Sequence, residues 1–169
     1  IELELKMNLS SNWLWQPNIA LSSNQNLDFY FKRDGFLENL GKTQLAYSPN
    51  LVGGSSIMYI PSTRFQIGLL SKYVGKQYMG NIDSENSTLE AYFVNDLNAV
   101  FIWKSNKWVS EIQWSILINN IFDIKYESNG YFYTYDDDFS TPGQVKTIEG
   151  TGYFPQAGIN FLTGISLRF

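Results

Sequence analysis

The chain closes on the stretch YFPQAGINFLTGISLRF, Tyr153 to Phe169. Read back from its end, every second residue is apolar or β-branched, namely Phe169, Leu167, Ile165, Thr163 and Phe161. The alternate positions hold Arg168, Ser166, Gly164, Leu162 and Asn160. Successive side chains of a β-strand point to opposite faces, so this alternation predicts a two-faced strand. Because chain ends fray in water unless something holds them, the terminal aromatic ring predicts a strand that is tied into a sheet.

Composition narrows the classes of function. The 169 residues suffice for about one domain, and 44% are hydrophobic and 17% aromatic. A net charge of -4 and a pI near 4.8 predict no nucleic-acid partner, because such a partner requires a basic surface. There is no cysteine for a disulfide or thiolate metal site. There is also no histidine, the commonest general base and metal ligand, so we expect a protein that is not an enzyme and has no catalytic residues, cofactor or metal.

The same alternation recurs along the chain and predicts seven strands. The first six lie at about 3–9, 13–22, 51–59, 65–73, 93–103 and 112–118, before the closing strand. Short turns are predicted at 10–12, 61–63 and 104–107, and long loops at about 23–46, 75–89 and 120–152. The longest purely apolar run, Ala99 to Trp103, is far shorter than the roughly 20 residues of a membrane helix. A chain of this kind that crosses a membrane would therefore do so with strands.

Short and long connections alternate three times, which is typical of a barrel inserted from one side of a membrane. We therefore predict an all-β fold, an antiparallel transmembrane β-barrel fragment of about seven up-and-down strands with short periplasmic turns and long extracellular loops. Four tryptophans lie close to short turns, as expected of a membrane-interface belt: Trp13, Trp15, Trp103 and Trp108. Trp114, in mid-strand, is not explained by such a belt.

Alternation alone does not say which face is wet. In a lipocalin-like barrel the apolar side points inward, and the tryptophans would then be core residues. In a membrane barrel the apolar side points outward to lipid, and the polar side lines a hydrated interior. We expect the second arrangement, with an inward polar row of Glu2, Glu4, Lys6, Asp96, Glu111 and Gln113.

The spacing of Gly164, Leu167 and Phe169 resembles the carboxy-terminal signal by which outer-membrane β-barrels are recognised for insertion. One residue departs from that pattern, since Leu162 stands where the signal has a polar residue. The resemblance implies that the barrel-assembly machinery is a partner. An ordinary amphipathic strand would show the same alternation.

Four stretches resemble the carboxy-terminal strands of TonB-dependent outer-membrane receptors, in the order of that family. They are KYVGKQY (72–78), AYFVNDL (91–97), NNIFDIKYESNGY (119–131) and GYFPQAGINFLTGISLRF (152–169). The residue after PQAG is often basic in the family and is Ile159 here. The resemblance implies a 22-stranded barrel with an internal plug, in which residues 1–169 form the carboxy-terminal portion of the barrel.

The same resemblance implies the function and partners of the whole protein. Such a receptor imports a scarce ligand, for example a siderophore, vitamin or glycan, across the outer membrane of a Gram-negative bacterium. Its partners would be outer-membrane lipid, the upstream strands and plug of the same protein, TonB acting through that plug, and a small-molecule ligand. The start of the chain at Ile1, directly in a strand pattern, suggests the tail of a longer open reading frame.

Two other functions fit the alternation: a passive or structural outer-membrane barrel, and a soluble β-barrel ligand-binding protein. Seven up-and-down strands cannot close an antiparallel ring, because the first and last run the same way. The two open edges would leave backbone groups unpaired at several kcal/mol each in lipid. We therefore expect the isolated fragment to aggregate or to require detergent.

Candidate ligand-binding residues lie in the third long loop. They are Tyr126, Asn129, Tyr131, Tyr133 and Tyr135, since tyrosine rings offer rigid contact area to a ligand. Packing of these rings on one another and on the barrel rim is the alternative. Asn129 and Gly130 predict a turn. The run Asp136 to Asp138 predicts a solvated loop rather than a calcium site, because consecutive carboxylates do not converge on one ion.

Overall fold

The computed structural model describes residues 1–105 and 108–169. Its strands are β1 (Glu2–Glu4), β2 (Met7–Asn8), β3 (Trp13–Leu21), β4 (Gln25–Arg33), β5 (Phe36–Gln44), β6 (Leu51–Ser62), β7 (Phe65–Val74), β8 (Gln77–Tyr78), β9 (Thr88–Leu89), β10 (Tyr92–Lys104), β11 (Glu111–Asn119), β12 (Glu127–Asp137), β13 (Lys146–Pro155) and β14 (Asn160–Arg168). A 3₁₀ turn, Glu85–Ser87, precedes β9. No helix among the described residues has the length and hydrophobicity needed to span a bilayer.

One large antiparallel sheet, which we call the wall, dominates the fold. Its strands neighbour each other in the order β1-β3-β6-β7-β10-β11-β14, and β2 pairs with β3 beside β1. Because β1 and β2 both pair with β3, they are two pieces of the first predicted strand, interrupted at Leu5 and Lys6. The sheet does not close, and β1 and β14 are its edges. The predicted up-and-down sheet of seven strands is confirmed.

The register aligns the alternating apolar positions of these strands on one face, although some apolar residues, such as Leu70 and Leu162, lie on the other. A single row across six strands shows this, since its members are Trp15, Ile57, Leu69, Leu97, Ile118 and Phe161. The adjacent row, on the opposite face, holds Gln16, Ser56, Leu70 and Asp96. The predicted inward residues Glu2, Glu4, Glu111 and Gln113 also lie on this polar face. The alternation seen in the sequence is therefore a property of the whole wall.

The apolar face is not a closed core. Leu3, Trp103 and Leu167 are 60%, 50% and 52% exposed. If the apolar sides of the strands met in a dry interior, these side chains would be shielded. Within the described chain, therefore, the apolar face of the wall is not covered by other elements.

Two of the three predicted loops are wrong. Residues 23–46 contain the hairpin β4–β5, and residues 120–152 contain β12 and most of β13. The regular alternation of β4–β5 is broken by register shifts between Asn26 and Phe29 and between Phe29 and Tyr30. The remaining loop, 75–89, is mostly irregular and contains only the two-residue strands β8 and β9 and the 3₁₀ turn.

Two boundaries also differ from the prediction. The stretch from Tyr153 to Phe169 is not one strand, because β13 ends at Pro155 and β14 begins at Asn160. The predicted turn at 104–107 begins with Lys104, which is still in β10, and its residues 106 and 107 lie outside the described part of the chain.

Candidate functional site

The three long connections leave the same end of the wall, because consecutive wall strands are antiparallel neighbours. We call them together the loop layer, comprising residues 22–50, 75–91 and 120–159. Most of the buried side chains of the described residues lie here, including Thr43, Met79, Ser87, Thr88, Leu89 and Asn120. The loop layer is thus a packed structure with its own small core.

The tips of the hairpins β4–β5 and β12–β13 are joined by what we call the clasp. The β4–β5 turn is formed by Asp34 and Gly35, both with positive φ, as a two-residue hairpin turn requires. The Asp34 backbone N–H donates to Thr147 Oγ1, and the Thr147 N–H donates to Asp34 Oδ1, both at 2.8 Å. Beside them Lys32 Nζ lies 3.0 Å from Asp136 Oδ2. In the sheet β7 and β10 separate the roots of these hairpins, so the clasp bridges across the middle connection, residues 75–91, which joins β7 to β10.

The middle connection, residues 75–91, is held between the two hairpins. The backbone N–H of Gln44 donates to Asp83 Oδ1 at 2.8 Å on one side. On the other side, Asn86 Nδ2 donates to Glu149 Oε2 at 3.0 Å, and Ser84 also donates to this carboxylate. Every long connection therefore contacts the other two through polar groups.

Two stretches that carry the family resemblance meet at the root of β12–β13. Asn120 has a positive φ and is buried, and its Nδ2 donates to the carbonyls of Ile124 and Ala157 at 2.9 and 3.2 Å. Asp123 accepts the Ile159 N–H at 3.0 Å, so the pKa of its carboxyl is lowered by Lys125 first and by this N–H second. Side chains of NNIFD thus hold the PQAG turn in place.

Three of the five candidate ligand residues lie in one row. Tyr131, Tyr133 and Tyr135 are on the same face of β12, with ring centroids 6.3 and 6.4 Å apart and planes inclined by 18°. Phe154 of β13, which was not predicted, continues the row at 6.0 Å from Tyr131. We call these four rings the aromatic ladder. Each ring is about half exposed, so the ladder is an open surface.

Glycines make the ladder possible. Gly152 and Gly150 are the cross-strand partners of Tyr131 and Tyr133. A Cβ at either glycine would overlap the ring atoms of its partner. The rings therefore lie across the backbone of β13, an arrangement known to stabilise glycine positions in sheets. The alternating glycines of EGTGYF were the sequence signal for this strand.

The other two candidates do not join the ladder. The Tyr126 ring packs on Tyr92 with centroids 4.4 Å apart, and burial, followed by the charge of Asp96, raises the pKa of the Tyr126 phenol. Asn129 lies at a register shift in β12, where its side chain accepts the Gly130 N–H at 2.8 Å. The predicted turn at Asn129 and Gly130 is therefore wrong, because these residues form an irregularity within a strand.

The acidic run is also placed differently from the prediction, since Asp136 and Asp137 are in β12 rather than in a loop. The pKa of the Asp136 carboxyl is lowered by the ammonium of Lys32 and then by Thr147. The pKa of Asp137 is lowered by hydrogen bonds from Ser140. Both carboxylates already have structural partners, and no cluster in the described ranges has the acidic or sulfur ligands to hold a metal ion.

Aromatic rings gather at the short-turn end of the apolar face. Trp13 packs on Tyr59 with ring centroids 4.7 Å apart. Phe101 contacts Phe65, Trp103 and Trp114 at 4.8, 5.9 and 5.6 Å. Trp114, unexplained by the sequence, thus belongs to the same cluster. Trp15 is set two residues deeper along β3, and its Nε1 donates to Ser55 Oγ at 2.9 Å.

A second pair of rings lies toward the loop end of the same face, where Tyr73 and Phe93 are cross-strand partners. Ten residues of β10 separate Phe93 from Trp103, which corresponds to about 25 Å for a strand tilted by about 40°. This is the height of the apolar band of an outer-membrane barrel, which has aromatic girdles at both of its borders.

The predicted insertion signal lies at the free edge strand. Gly164 is on the polar face opposite Ser115, whereas Leu167 is on the apolar face opposite Ile112. Phe169 is 70% exposed and its ring packs on Trp108 at 5.4 Å. The signal residues are therefore accessible at the edge and at the chain end.

The architecture matches solved receptors over the whole chain. A siderophore receptor of Acinetobacter baumannii, PiuA, matches with a TM-score of 0.61 and 15% identity over 98% of this chain. The ferric-catecholate import receptor Fiu of E. coli K12 in its closed form gives 0.60 and 14% over 99%. The ferric yersiniabactin uptake receptor FyuA of Yersinia pestis gives 0.59 and 19% over 99%.

The chain has the fold of an outer-membrane receptor barrel. The resemblance to TonB-dependent receptors indicated by the sequence is confirmed in this respect. The chain spans about a fifth of the length of these receptors, with 21%, 20% and 23% of them covered. No protein-family profile and no curated protein matches the sequence.

Proposed function

We propose that the chain forms the carboxy-terminal wall and extracellular loops of an outer-membrane receptor that takes up a scarce ligand with energy supplied through TonB. The observation that carries this proposal is the continuous apolar face of an open sheet, with aromatic rings at both ends, such as Phe93 and Trp103 of β10. The fold match to uptake receptors over nearly all of the chain supports it.

The open edges of the wall suit a place within a larger barrel. β1 and β14 each lack a neighbour on one side. Unpaired strand edges do not persist in a hydrocarbon environment, because each unsatisfied backbone group costs several kcal/mol. Further strands of the same protein would pair with both edges, and a plug would fill the space that the polar face lines.

The loop layer would face the outside of the cell, and the short turns would face the periplasm. In this orientation the residues Gly164, Leu167 and Phe169 would serve recognition by the barrel-assembly machinery. The rings of Trp13, Trp15, Trp103 and Trp108 would lie at the periplasmic membrane interface. The aromatic ladder would be accessible to ligand from outside.

Uptake in cells separates this function from a passive or structural barrel. The parent protein would be produced in a Gram-negative host with and without TonB, and ligand accumulation would be measured alongside its amount in the outer membrane. We expect equal insertion in both hosts and accumulation only when TonB is present. Equal accumulation without TonB would indicate a passive pore, and recovery of the parent protein in the soluble fraction would contradict the membrane assignment.

A further inference from the structure

The aromatic ladder has no partner within the described chain. Its rings are 47–52% exposed. The inner face of the same hairpin packs on the rest of the loop layer, as the contacts of Glu149, Thr147 and Asp136 show. Among the described residues no hydrogen-bond partner is recorded for the hydroxyls of Tyr131, Tyr133 and Tyr135. The hairpin thus presents free ring faces and free phenol groups on one side.

Charge limits what can bind to this surface. The loop layer contains twelve carboxylate side chains and six basic ones, a net charge of -6, whereas the entire chain carries -4. Four of the six basic residues already form ion pairs with carboxylates, namely Lys32, Arg33, Lys76 and Lys125. Anion recognition in proteins relies on clusters of Arg and Lys. The loop layer therefore opposes an anionic ligand.

The arrangement of the rings also argues against a compact cation. Binding of a quaternary ammonium group uses aromatic rings that surround it as a cage. Here the three tyrosine planes are inclined by only 18° to their neighbours and follow one another along a strand. A row of this kind offers contact to an extended ligand instead of enclosing a small one.

We propose that the aromatic ladder binds a neutral oligosaccharide. The apolar C–H faces of successive sugar rings would pack on the exposed rings, and sugar hydroxyls would hydrogen-bond with the phenol groups of Tyr131, Tyr133 and Tyr135. Asp137 and Lys146, cross-strand partners at the tip end of the same face, would supply further polar contacts. This inference rests on the proposed uptake function, since it names the ligand class of the same loops.

The test uses the full-length receptor purified in detergent, with Tyr133→Ala, Tyr133→Phe and, as a matched control, Tyr30→Ala. Tyr30 is also an exposed tyrosine of the loop layer, 58% exposed, but lies in β4 outside the ladder. The probes are neutral hexasaccharides of α-1,4-glucose, β-1,4-glucose and β-1,4-mannose, and a ferric tris-catecholate complex as the anionic comparison. Affinity is measured by calorimetry, and folding is checked by the thermal unfolding midpoint.

We expect at least one hexasaccharide to bind and the ferric complex to bind more weakly. Tyr133→Ala should weaken hexasaccharide binding about tenfold. Tyr133→Phe should weaken it less, because the ring remains, and Tyr30→Ala should leave it unchanged. The proposal is overturned if no hexasaccharide binds, if Tyr30→Ala has the same effect as Tyr133→Ala, or if Tyr133→Ala weakens only the ferric complex.

A ladder covered by other loops of the parent protein would show unfolding midpoints lowered by Tyr133→Ala with no change in affinity, which would also overturn the proposal. Failure of the uptake function is a separate result. A hexasaccharide that binds through the ladder but accumulates equally without TonB would support the site and contradict the transport function.

Discussion

The wall and the loop layer differ in how far they bury their apolar side chains. The wall leaves large side chains of its apolar face uncovered, with Phe161 and Ile165 75% and 69% exposed. The loop layer also exposes apolar side chains, such as Leu37 and the rings of the ladder, but it has a small buried core, with Leu89 and Met79 only 1% and 5% exposed. The loop layer thus has a core of its own, whereas the apolar face of the wall is left uncovered by the described chain, as the proposed contact with lipid requires.

The two regions also differ in what holds them together. The wall depends on long backbone ladders, and its side chains contribute little mutual burial. The hairpins of the loop layer have strands of similar length, but the three connections are held to one another by polar side-chain contacts such as those of the clasp and of Asn120. We therefore expect substitutions to have separable effects in the two regions.

The largest expected effect on the stability of the whole barrel comes from a charge on the apolar face of the wall. Ile116 lies in the middle of that face, between Ala99 and Thr163. Ile116→Arg should destabilise the barrel by about 2–4 kcal/mol, because the charge would enter hydrocarbon. Urea unfolding of the receptor in lipid vesicles would measure this.

The matched control is Gln113→Arg, on the polar face of the same strand. It should change the free energy of unfolding by less than about 0.5 kcal/mol. Equal destabilisation by both variants would remove the distinction between the two faces.

The second effect is a loss of packing confined to the loop layer. Leu89→Ala removes the most buried large side chain and should cost about 2–5 kcal/mol of local stability. Hydrogen exchange of residues 75–91 should accelerate, while exchange in β10 and β11 stays slow. Leu37→Ala, at a position that is 72% exposed, is the control and should leave exchange unchanged. Faster exchange throughout the wall after Leu89→Ala would show that the two regions are one cooperative unit.

A smaller effect is expected at the clasp. Thr147→Val keeps the shape of the side chain and removes the hydroxyl that accepts from Asp34 and donates to Asp136. The clasp should lose about 0.5–1.5 kcal/mol, seen as faster hydrogen exchange at residues 32–36. Thr141→Val, an exposed position outside the clasp, should have no effect. Unchanged exchange after Thr147→Val would mean that the hairpin tips are held by other contacts.

The smallest effect is the pH dependence of the same contact. The pKa of Asp136 is lowered from its ordinary 3.8, mainly by Lys32. The stabilisation from its ionised form is therefore fully present above that value, and is lost as the pH falls through the lower pKa of the folded state. The distance between spin labels on the two hairpin tips should be constant from pH 8 to 5 and increase only below about 3.8. Opening between pH 7 and 5 would contradict a role for Asp136.

The wall was predictable from sequence because each of its strands separates apolar and polar residues with a period of two. Even Pro17, which lacks an N–H, occupies a regular register position opposite Ser55. The hairpins were missed because this period is disturbed in them. In β4 the register shifts around Phe29, next to Asp28 with its positive φ. The strand also contains three consecutive aromatic residues, Phe29 to Phe31, so apolar and polar residues do not alternate there.

Signals for the hairpins were nevertheless present. Asp34-Gly35 between β-rich segments is a strong indicator of a two-residue hairpin turn. Two of the alternating tyrosines, Tyr131 and Tyr133, face the alternating glycines Gly152 and Gly150, which is the pattern of a cross-strand aromatic–glycine pair. The sequence identified the tyrosines as candidate residues. The full ladder could be found only from the strand register, since Phe154 joins it through the pairing of β13 with β12, where it lies opposite Asn129. The clasp could be found only from the tertiary structure, because Asp34 and Thr147 are 113 positions apart in the sequence.

The central claim is that the apolar face of the wall contacts lipid, and the absence of cysteine allows a direct test. Single cysteines at Leu69 and Ile116 on the apolar face, and at Ser56 and Gln113 on the polar face, would carry a fluorophore in the receptor reconstituted with brominated lipid. The account predicts strong quenching at Leu69 and Ile116 and little at Ser56 and Gln113. Equal quenching on both faces, or stronger quenching on the polar face, would contradict it.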